Sequence, residues 1–218
     1  MKTIRDIFFE GLEPNDDNII RPVDINWNQH SNGVLNIAKS LEPTFEVNDI
    51  NKNILKELLM YFSGSDSFNG SLKKGIMLVG DIGTGKSLLF KIFKRYTSEI
   101  LRVNSFQYFS TQEITDNVNI SGVDYLQAFN DNFGNPITCY IDDIASKNEV
   151  IKHYGTEVNT IEQLLSIRYN VFTRYRKLTH TTSNKYPSEL TNVYEKRIID
   201  RMVEMFNILE LPGKSFRK

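Results

Sequence analysis

The sequence predicts an α/β fold, a parallel sheet sandwiched by helices, on three observations. Short apolar runs alternate with segments of helical period, the pattern of parallel strands joined by crossover helices. One run, Ile76-Met77-Leu78-Val79, leads into Gly80-Asp81-Ile82-Gly83-Thr84-Gly85-Lys86-Ser87, which fits G-x-x-x-x-G-K-[ST] at every fixed position and opens onto a helix. A second, Ile137-Thr138-Cys139-Tyr140-Ile141, delivers Asp142-Asp143 to the carboxyl edge of the sheet, where ligands bind in open α/β folds.

The 218 residues suffice for one α/β domain with a sizeable core and a short appendage. With 26 Lys and Arg against 27 Asp and Glu, the net charge of -1 makes no global electrostatic case for nucleic acid. The single cysteine, Cys139, excludes an internal disulfide and a Cys-based zinc cluster, and in its apolar run it reads as a small core hydrophobe. Met1 to Asp6 lacks the continuous apolar stretch of a signal peptide, and no stretch is long and apolar enough to span a membrane. A cytoplasmic protein is expected.

Taken in order, residues 1–44 read as an N-terminal arm, a candidate for docking a protein partner. Ile4, Ile7, Phe8 and Leu12 have helical spacing, Glu13 to Asn18 reads as a turn, and Trp27 is expected to pack against the main domain. Residues 45–218 read as the main domain. Asn48 or Asp49 caps a helix to about Phe62, with Ile50, Ile54, Leu58 and Phe62 as its apolar stripe. Past the glycine-rich loop, Asn104 to Ser110 alternates aromatics as a strand does. Thr111–Asn117 and Gly122–Asn130 read as helical pieces, and Phe133 to Pro136 as a turn before the Asp-bearing strand. Asn159-Thr160 caps another helix, Leu178 to Asn184 is a strand with a polar tip, and Pro187 to Leu190 is a helical turn. A helix over Val193–Val203 and a last strand over Met205–Leu211 complete the pattern.

The glycine-rich stretch has a direct physical reading. Glycines let the backbone turn tightly and approach a polyphosphate closely. The loop amides then form an anion nest, aided by the positive end of the following helix. Lys86 can reach the β- and γ-phosphates, and the Ser87 hydroxyl is placed to ligate Mg²⁺. Asp142 suits Mg²⁺ held through water or through Ser87, while Asp143 suits a carboxylate that orients or deprotonates the attacking water. Asn184, at a strand end, can hold that water without adding negative charge; an asparagine at an ordinary strand-to-loop turn is the competing reading. Arg197 and Arg201 share one helix face, either as surface ion pairs with Glu195 and Asp200 or as an arginine finger for a neighbouring subunit. The segment from Arg168 to Lys185 is rich in Lys and Arg, with Tyr175 and Tyr186 interleaved. It is a solvated surface or a stacking platform for single-stranded nucleic acid.

Gly80 to Ser87, Ile141-Asp142-Asp143, Thr181-Thr182-Ser183-Asn184, Lys196 to Met202 and Gly213-Lys214-Ser215-Phe216-Arg217 follow the order of motifs in DnaC/DnaI-type AAA+ ATPases. From Phe45 to Lys218 the chain resembles these proteins, which load the replicative helicase onto DNA, and it resembles their relatives, the IstB-type transposition ATPases. The resemblance implies an AAA+ P-loop NTPase fold with the helical lid truncated or absent. It implies ATP and Mg²⁺ as ligands, with Gly80, Asp81, Ile82, Gly83, Thr84, Gly85, Lys86, Ser87 and Leu88 cradling the nucleotide. Asp142 and Asp143 would form Walker B, with Asp143 where many AAA+ proteins carry Glu. Asn184 would be sensor 1, Arg201 the finger acting in trans, with Arg197 as second choice, and Arg217 sensor 2. The arm does not resemble the cysteine-containing zinc-binding arm of some loaders.

Three functions fit this pattern. An ATP-dependent helicase loader would assemble on single-stranded DNA, with a replicative helicase as partner and self-association through Arg201. An IstB-type ATPase would bind duplex DNA and recruit a transposase. A small P-loop kinase is disfavoured, because a monomeric kinase does not need Asn184 and the late arginines in this arrangement. The short acidic arm and the lack of an evident duplex-binding module favour the loader.

Overall fold

The apolar run after Lys74 becomes the central strand of the molecule. In the computed structural model, which describes residues 26–103, 106–130, 136–147, 149–153, 156–213 and 215, this strand, β1 (Gly75–Val79), is buried along its whole length. It lies between β6 (Thr179–Ser183) and β7 (Phe206–Glu210). Beyond β6 follow β3 (Cys139–Ile144) and then β2 (Gln107–Ser110), giving the order β2-β3-β6-β1-β7 with every neighbouring pair parallel. Parallel neighbours need crossover connections, and these are helical here.

Alternation along β1 splits the core into two layers. Met77 and Val79 join Ile141, Leu164, Ile198 and Met202 on one face. Ile76 and Leu78 join Leu58, Phe90, Phe93 and Tyr140 on the other. The period of two in a strand sends successive side chains to opposite faces, so one short run serves both layers. On the first face lie α4 (Thr111–Ser121), a 3-10 segment (Val123–Phe129), α5 (Thr160–Tyr175) and α7 (Lys196–Met205). The second carries α1 (Trp27–Leu41), α2 (Lys52–Phe62) and α3 (Lys86–Arg95), continued by a wider turn over Tyr96–Ile100. A short helix, α6 (Pro187–Leu190), follows β6.

Several sequence expectations shift. Within the expected arm, residues 1–25, with the Ile4 to Leu12 stripe, lie outside the described residues. The remainder holds α1, whose Val34, Ile37 and Ala38 sit at helical spacing and enter the core. Asn26 caps it, Oδ1 accepting from Gln29 N at 3.2 Å. Trp27, expected to pack, is 42% exposed on the rim of a groove between α1 and α2. Helix α2 begins three residues later than Asp49. Asn48 caps the preceding turn instead, its Oδ1 accepting from Ile50 N and Asn51 N at 3.0 and 3.1 Å, which leaves Ile50 outside the helix and exposed. The Asp-bearing strand runs on through Ile144, because a bulge between Ile141 and Ile144 keeps it paired with β6. An antiparallel hairpin of β4 (Val150–His153) and β5 (Thr156–Asn159), not expected from the sequence, precedes α5.

Candidate nucleotide site

The carboxyl ends of β1, β3 and β6 bring the candidate residues together. Between β1 and α3, Gly80 and Gly83 have φ of 151° and 81°, backbone that L side chains rarely adopt. A Cβ on Gly80 would lie 2.2 Å from Leu211 O, and one on Gly83 2.2 Å from Ser215 Oγ. The glycines are therefore required twice, by backbone angle and by close approach. Thr84 is buried and closes the turn, Oγ1 donating to Asp81 O at 2.9 Å. Asp81 and Ile82 are exposed at the crest of the loop, and Leu88 is half-buried behind it.

Lys86 is 6% exposed and points back along the loop. Its Nζ donates to Gly80 O at 2.7 Å, Asp81 O at 2.8 Å and Asn184 Oδ1 at 2.7 Å. These three oxygens hold the ammonium beside the cradle.

Asp142 sits inside a collar of hydroxyls. Ser87 Oγ, Thr182 Oγ1 and Tyr140 Oη donate to its Oδ1 at 2.8, 2.6 and 2.5 Å, and Tyr108 Oη donates to Oδ2 at 3.2 Å. Thr111 Oγ1 also donates to its main-chain oxygen at 2.8 Å. Hydrogen bonds to an ionised acceptor are the stronger kind, so the carboxylate is held in one orientation. Burial, reinforced by the Asp142 charge, pushes the Tyr140 phenol far above its ordinary range. The same causes push Tyr108 up to about 12. Both phenols stay protonated and serve as donors. The sequence reading missed Tyr140, Tyr108 and the role of Thr182. Tyr140 was within reach, since residues i and i+2 of a strand share a face.

Asp143 is the next residue and differs in every respect. It is exposed, and its φ of 62° lies in the left-handed region, as does that of Ala145 at 61°. Such backbone costs on the order of 1–3 kcal/mol per residue and persists where surrounding bonds fix it. Asp143 N donates to Thr182 Oγ1 at 2.9 Å, and Asn184 Nδ2 donates to Asp143 Oδ1 at 2.5 Å. Thr182 thus spans the two aspartates, donating to one and accepting from the next.

The late arginines stand apart. Arg201 Nη1 donates to Ser166 Oγ at 3.1 Å, and its guanidinium lies over the Tyr169 ring at 4.8 Å. Its partners are thus on α5, and neither Glu195 nor Asp200 is among them. Arg197 is exposed. Arg217 lies outside the described residues, as do Lys214 and Phe216. Of the basic stretch 168–185, Arg174 and Arg176 are exposed, but Arg168 is buried completely. Its guanidinium donates to Thr179 Oγ1 and to the carbonyls of Phe129, Ile137 and Leu178 at 2.8–3.2 Å, so it cannot belong to a surface patch.

The parallel sheet of order β2-β3-β6-β1-β7, with its flanking helices, has counterparts among solved structures. DnaI is similar over 84% of this chain and 93% of its own, at 18% identity and a TM-score of 0.56. The DnaC helicase loader is similar over 78% and 95%, at 17% identity and 0.54. Domain III of the Thermotoga maritima replication initiation protein DnaA is similar over 78% and 66%, at 14% identity and 0.54. The chain shares the fold of these proteins. No protein-family model matches it, and no curated protein matches it in sequence.

The strand order accounts for the placement of the site. β3, β6 and β1 are successive in the sheet, so residues 40, 55 and 98 positions apart in sequence meet at one sheet edge. Among the described residues no helix is long and apolar enough to cross a membrane. Nor do three or more His, Cys, Asp or Glu side chains gather there to hold a metal by themselves.

Proposed function

We propose that this chain is an ATP-dependent helicase loader that binds and hydrolyses ATP and assembles on single-stranded DNA. The observation that carries the reading is the chain of contacts from Lys86 through Asn184 to Asp143, set beside the Ser87–Asp142 pair on one sheet edge. Likeness in fold to the DnaC helicase loader and to DnaI supports the choice of partner.

Each residue has a defined task. The loop amides, bent inward by glycines that no other residue could replace, bind the phosphate oxygens. Lys86 exchanges its two carbonyl partners for β- and γ-phosphate oxygens, bringing a point charge to where negative charge accumulates. The cradle and the Ser87–Asp142 pair fit a nucleotide with its metal: Ser87 and Asp142 would hold Mg²⁺, whose charge, when bound, offsets that of the phosphates. Four hydroxyl donors hold the Asp142 carboxyl group in place. Asp143, exposed and one residue on, orients the attacking water or takes its proton, and the Asn184 amide fixes that carboxylate relative to Lys86. Arg201 would act on the ATP of a neighbouring subunit, and Arg217 on its own.

The decisive experiment is a pull-down of the host's replicative helicase with and without ATP, paired with single-stranded-DNA-stimulated ATPase. Capture that depends on ATP and on Lys86 is expected. ATP turnover without any helicase association would leave an AAA+ ATPase of another purpose, and the loader reading would fail.

A further inference from the structure

The turn that carries Asp143 is held from beneath by two buried side chains outside the phosphate site. Tyr194 Oη accepts from Ala145 N at 2.8 Å and donates to Glu149 Oε2 at 2.8 Å. Glu149 Oε1 accepts from Ser146 N at 3.2 Å. The two are 3% and 1% exposed. Glu149 O also accepts from Thr160 N at 2.8 Å, which joins the pair to the start of α5. The residue after Tyr194, Glu195, occupies the N-cap position of the helix that bears Arg197 and Arg201.

This arrangement is costly for a fold to keep. No cation pairs with Glu149 among the described residues, and burial pushes its carboxyl up to about 7 even though every hydrogen bond it receives favours the ionised form. An apolar pair would fill the same space without that penalty. What the polar pair supplies is a set of bonds to successive amides, Ala145 and Ser146, separated by one residue from the left-handed Asp143. Thr182 fixes the amide on the other side. The Asp143 turn is therefore gripped at both ends.

We propose that Glu149 and Tyr194 form a buried strut that positions the Asp143 carboxylate, making both of them positioning residues for hydrolysis. The inference rests on the ATPase reading above. The strut acts through Asp143, so its loss lowers kcat without weakening nucleotide binding. Its two members work as one unit, so their effects do not add.

The test uses the full chain with Mg²⁺-ATP and three variants: Glu149→Gln, Tyr194→Phe and the double substitution. Steady-state kcat and KM are measured together with circular dichroism melts, which verify that folded protein is assayed. Both substitutions preserve shape, and Tyr194→Phe decides alone should Glu149→Gln not fold. The expected result is a kcat at least about tenfold lower, a KM within about twofold of wild type, and a double variant no slower than the worse single one. Wild-type turnover with unchanged kcat in the folded variants, or with kcat and nucleotide affinity lost together, overturns the strut alone. No turnover in the wild-type protein overturns the ATPase reading and the strut with it.

Discussion

Asn184 Oδ1 accepts a hydrogen bond from Lys86 Nζ at 2.7 Å, while the same side chain's nitrogen donates to Asp143. A neutral amide can face an ammonium and a carboxylate at once because its two ends have opposite character. Asn184→Ala is expected to keep ATP binding and lose about 10²-fold or more in turnover. Asn184→Asp should do worse, since it faces Asp143 with a like charge. Equal turnover in wild type and Asn184→Ala, followed by phosphate release, would return Asn184 to the status of a turn residue.

The hydroxyl collar makes a graded prediction. Asp142→Asn should abolish most Mg²⁺-dependent hydrolysis. Tyr140→Phe removes one of three donors to Oδ1 and leaves the stacking on Phe90, whose centroid is 4.1 Å away. A hydrogen bond to a charged group is worth about 1.5–3 kcal/mol, so the variant should need more Mg²⁺ for half-maximal rate while its maximal rate changes little. A Mg²⁺ titration identical to wild type would mean that Tyr140 contributes packing only.

Arg168 supports the sheet from its other end. Replacing it with Met would take this donor from the carbonyls of Phe129 and Ile137 and the hydroxyl of Thr179, while Leu178 O keeps its bond from Cys139 N. At about 1–3 kcal/mol for each buried group left unsatisfied, Arg168→Met should cost at least about 3 kcal/mol. In a chain of this size that is a fall in Tm of roughly 6–12 °C. DNA affinity, where measurable on folded protein, should depend on Arg174 and Arg176 instead; an unchanged melt in Arg168→Met would contradict the clamp.

Two buried groups titrate in opposite senses. Burial, helped by the Arg168 charge, lowers His180 to about 3, and its Nδ1 accepts from Ile76 N at 3.0 Å. Its contribution to stability is present above about 6.5 and is lost as pH falls toward 3. Glu149, raised to about 7, contributes below about 4.5 and loses that contribution as pH rises toward 7. Between about 4.5 and 6.5 the two slopes cancel. Glu149→Gln should uncover the histidine, so that stability in urea rises by about 1.4 kcal/mol per pH unit across that window. A profile for the variant as flat as that of wild type would refute the histidine assignment.

How much of this was legible in the sequence depended on distance along the chain. The glycine-rich turn was readable because Gly80 and Gly83 each answer a local demand: an angle and a close approach. Asp142 and Asp143 were readable as a pair, but their separate environments were not. The Asp142 collar draws Ser87 from α3, Thr182 from β6 and Tyr108 from β2, and no local pattern announces those meetings. Arg168 was misread because residue type argues for the surface, whereas the four acceptors that bury it belong to distant segments. The hairpin β4–β5 escaped because four-residue strands of mixed polarity carry little period. Helix α1 escaped because its apolar positions, Val34, Ile37 and Ala38, crowd into its second half.

Arg201 carries the prediction that separates a AAA+ assembly from a solitary ATPase. Within the chain it rests on α5 by one hydrogen bond to the Ser166 hydroxyl and a cation–π contact with Tyr169. These are worth about 1.5–3 and 0.5–1 kcal/mol at most at a half-exposed site, and neither partner carries a charge, so an anionic partner can draw the guanidinium away. A γ-phosphate of the next subunit is such a partner, and an arginine supplied in trans can raise hydrolysis by about 10³ to 10⁵. Contacts of that kind are heterologous and build rings or open spirals, so self-association should strengthen with ATP and with single-stranded DNA. Arg201→Ala should bind ATP normally and hydrolyse it poorly. Adding Lys86→Ala protein, which cannot use its own phosphate loop but retains Arg201, should partly restore turnover at the intact sites of the first variant. Restoration that grows with the concentration of added protein places Arg201 at a subunit boundary. No restoration, with a specific ATPase rate independent of protein concentration, would leave Arg201 as a brace between α7 and α5 and the monomer as the working unit.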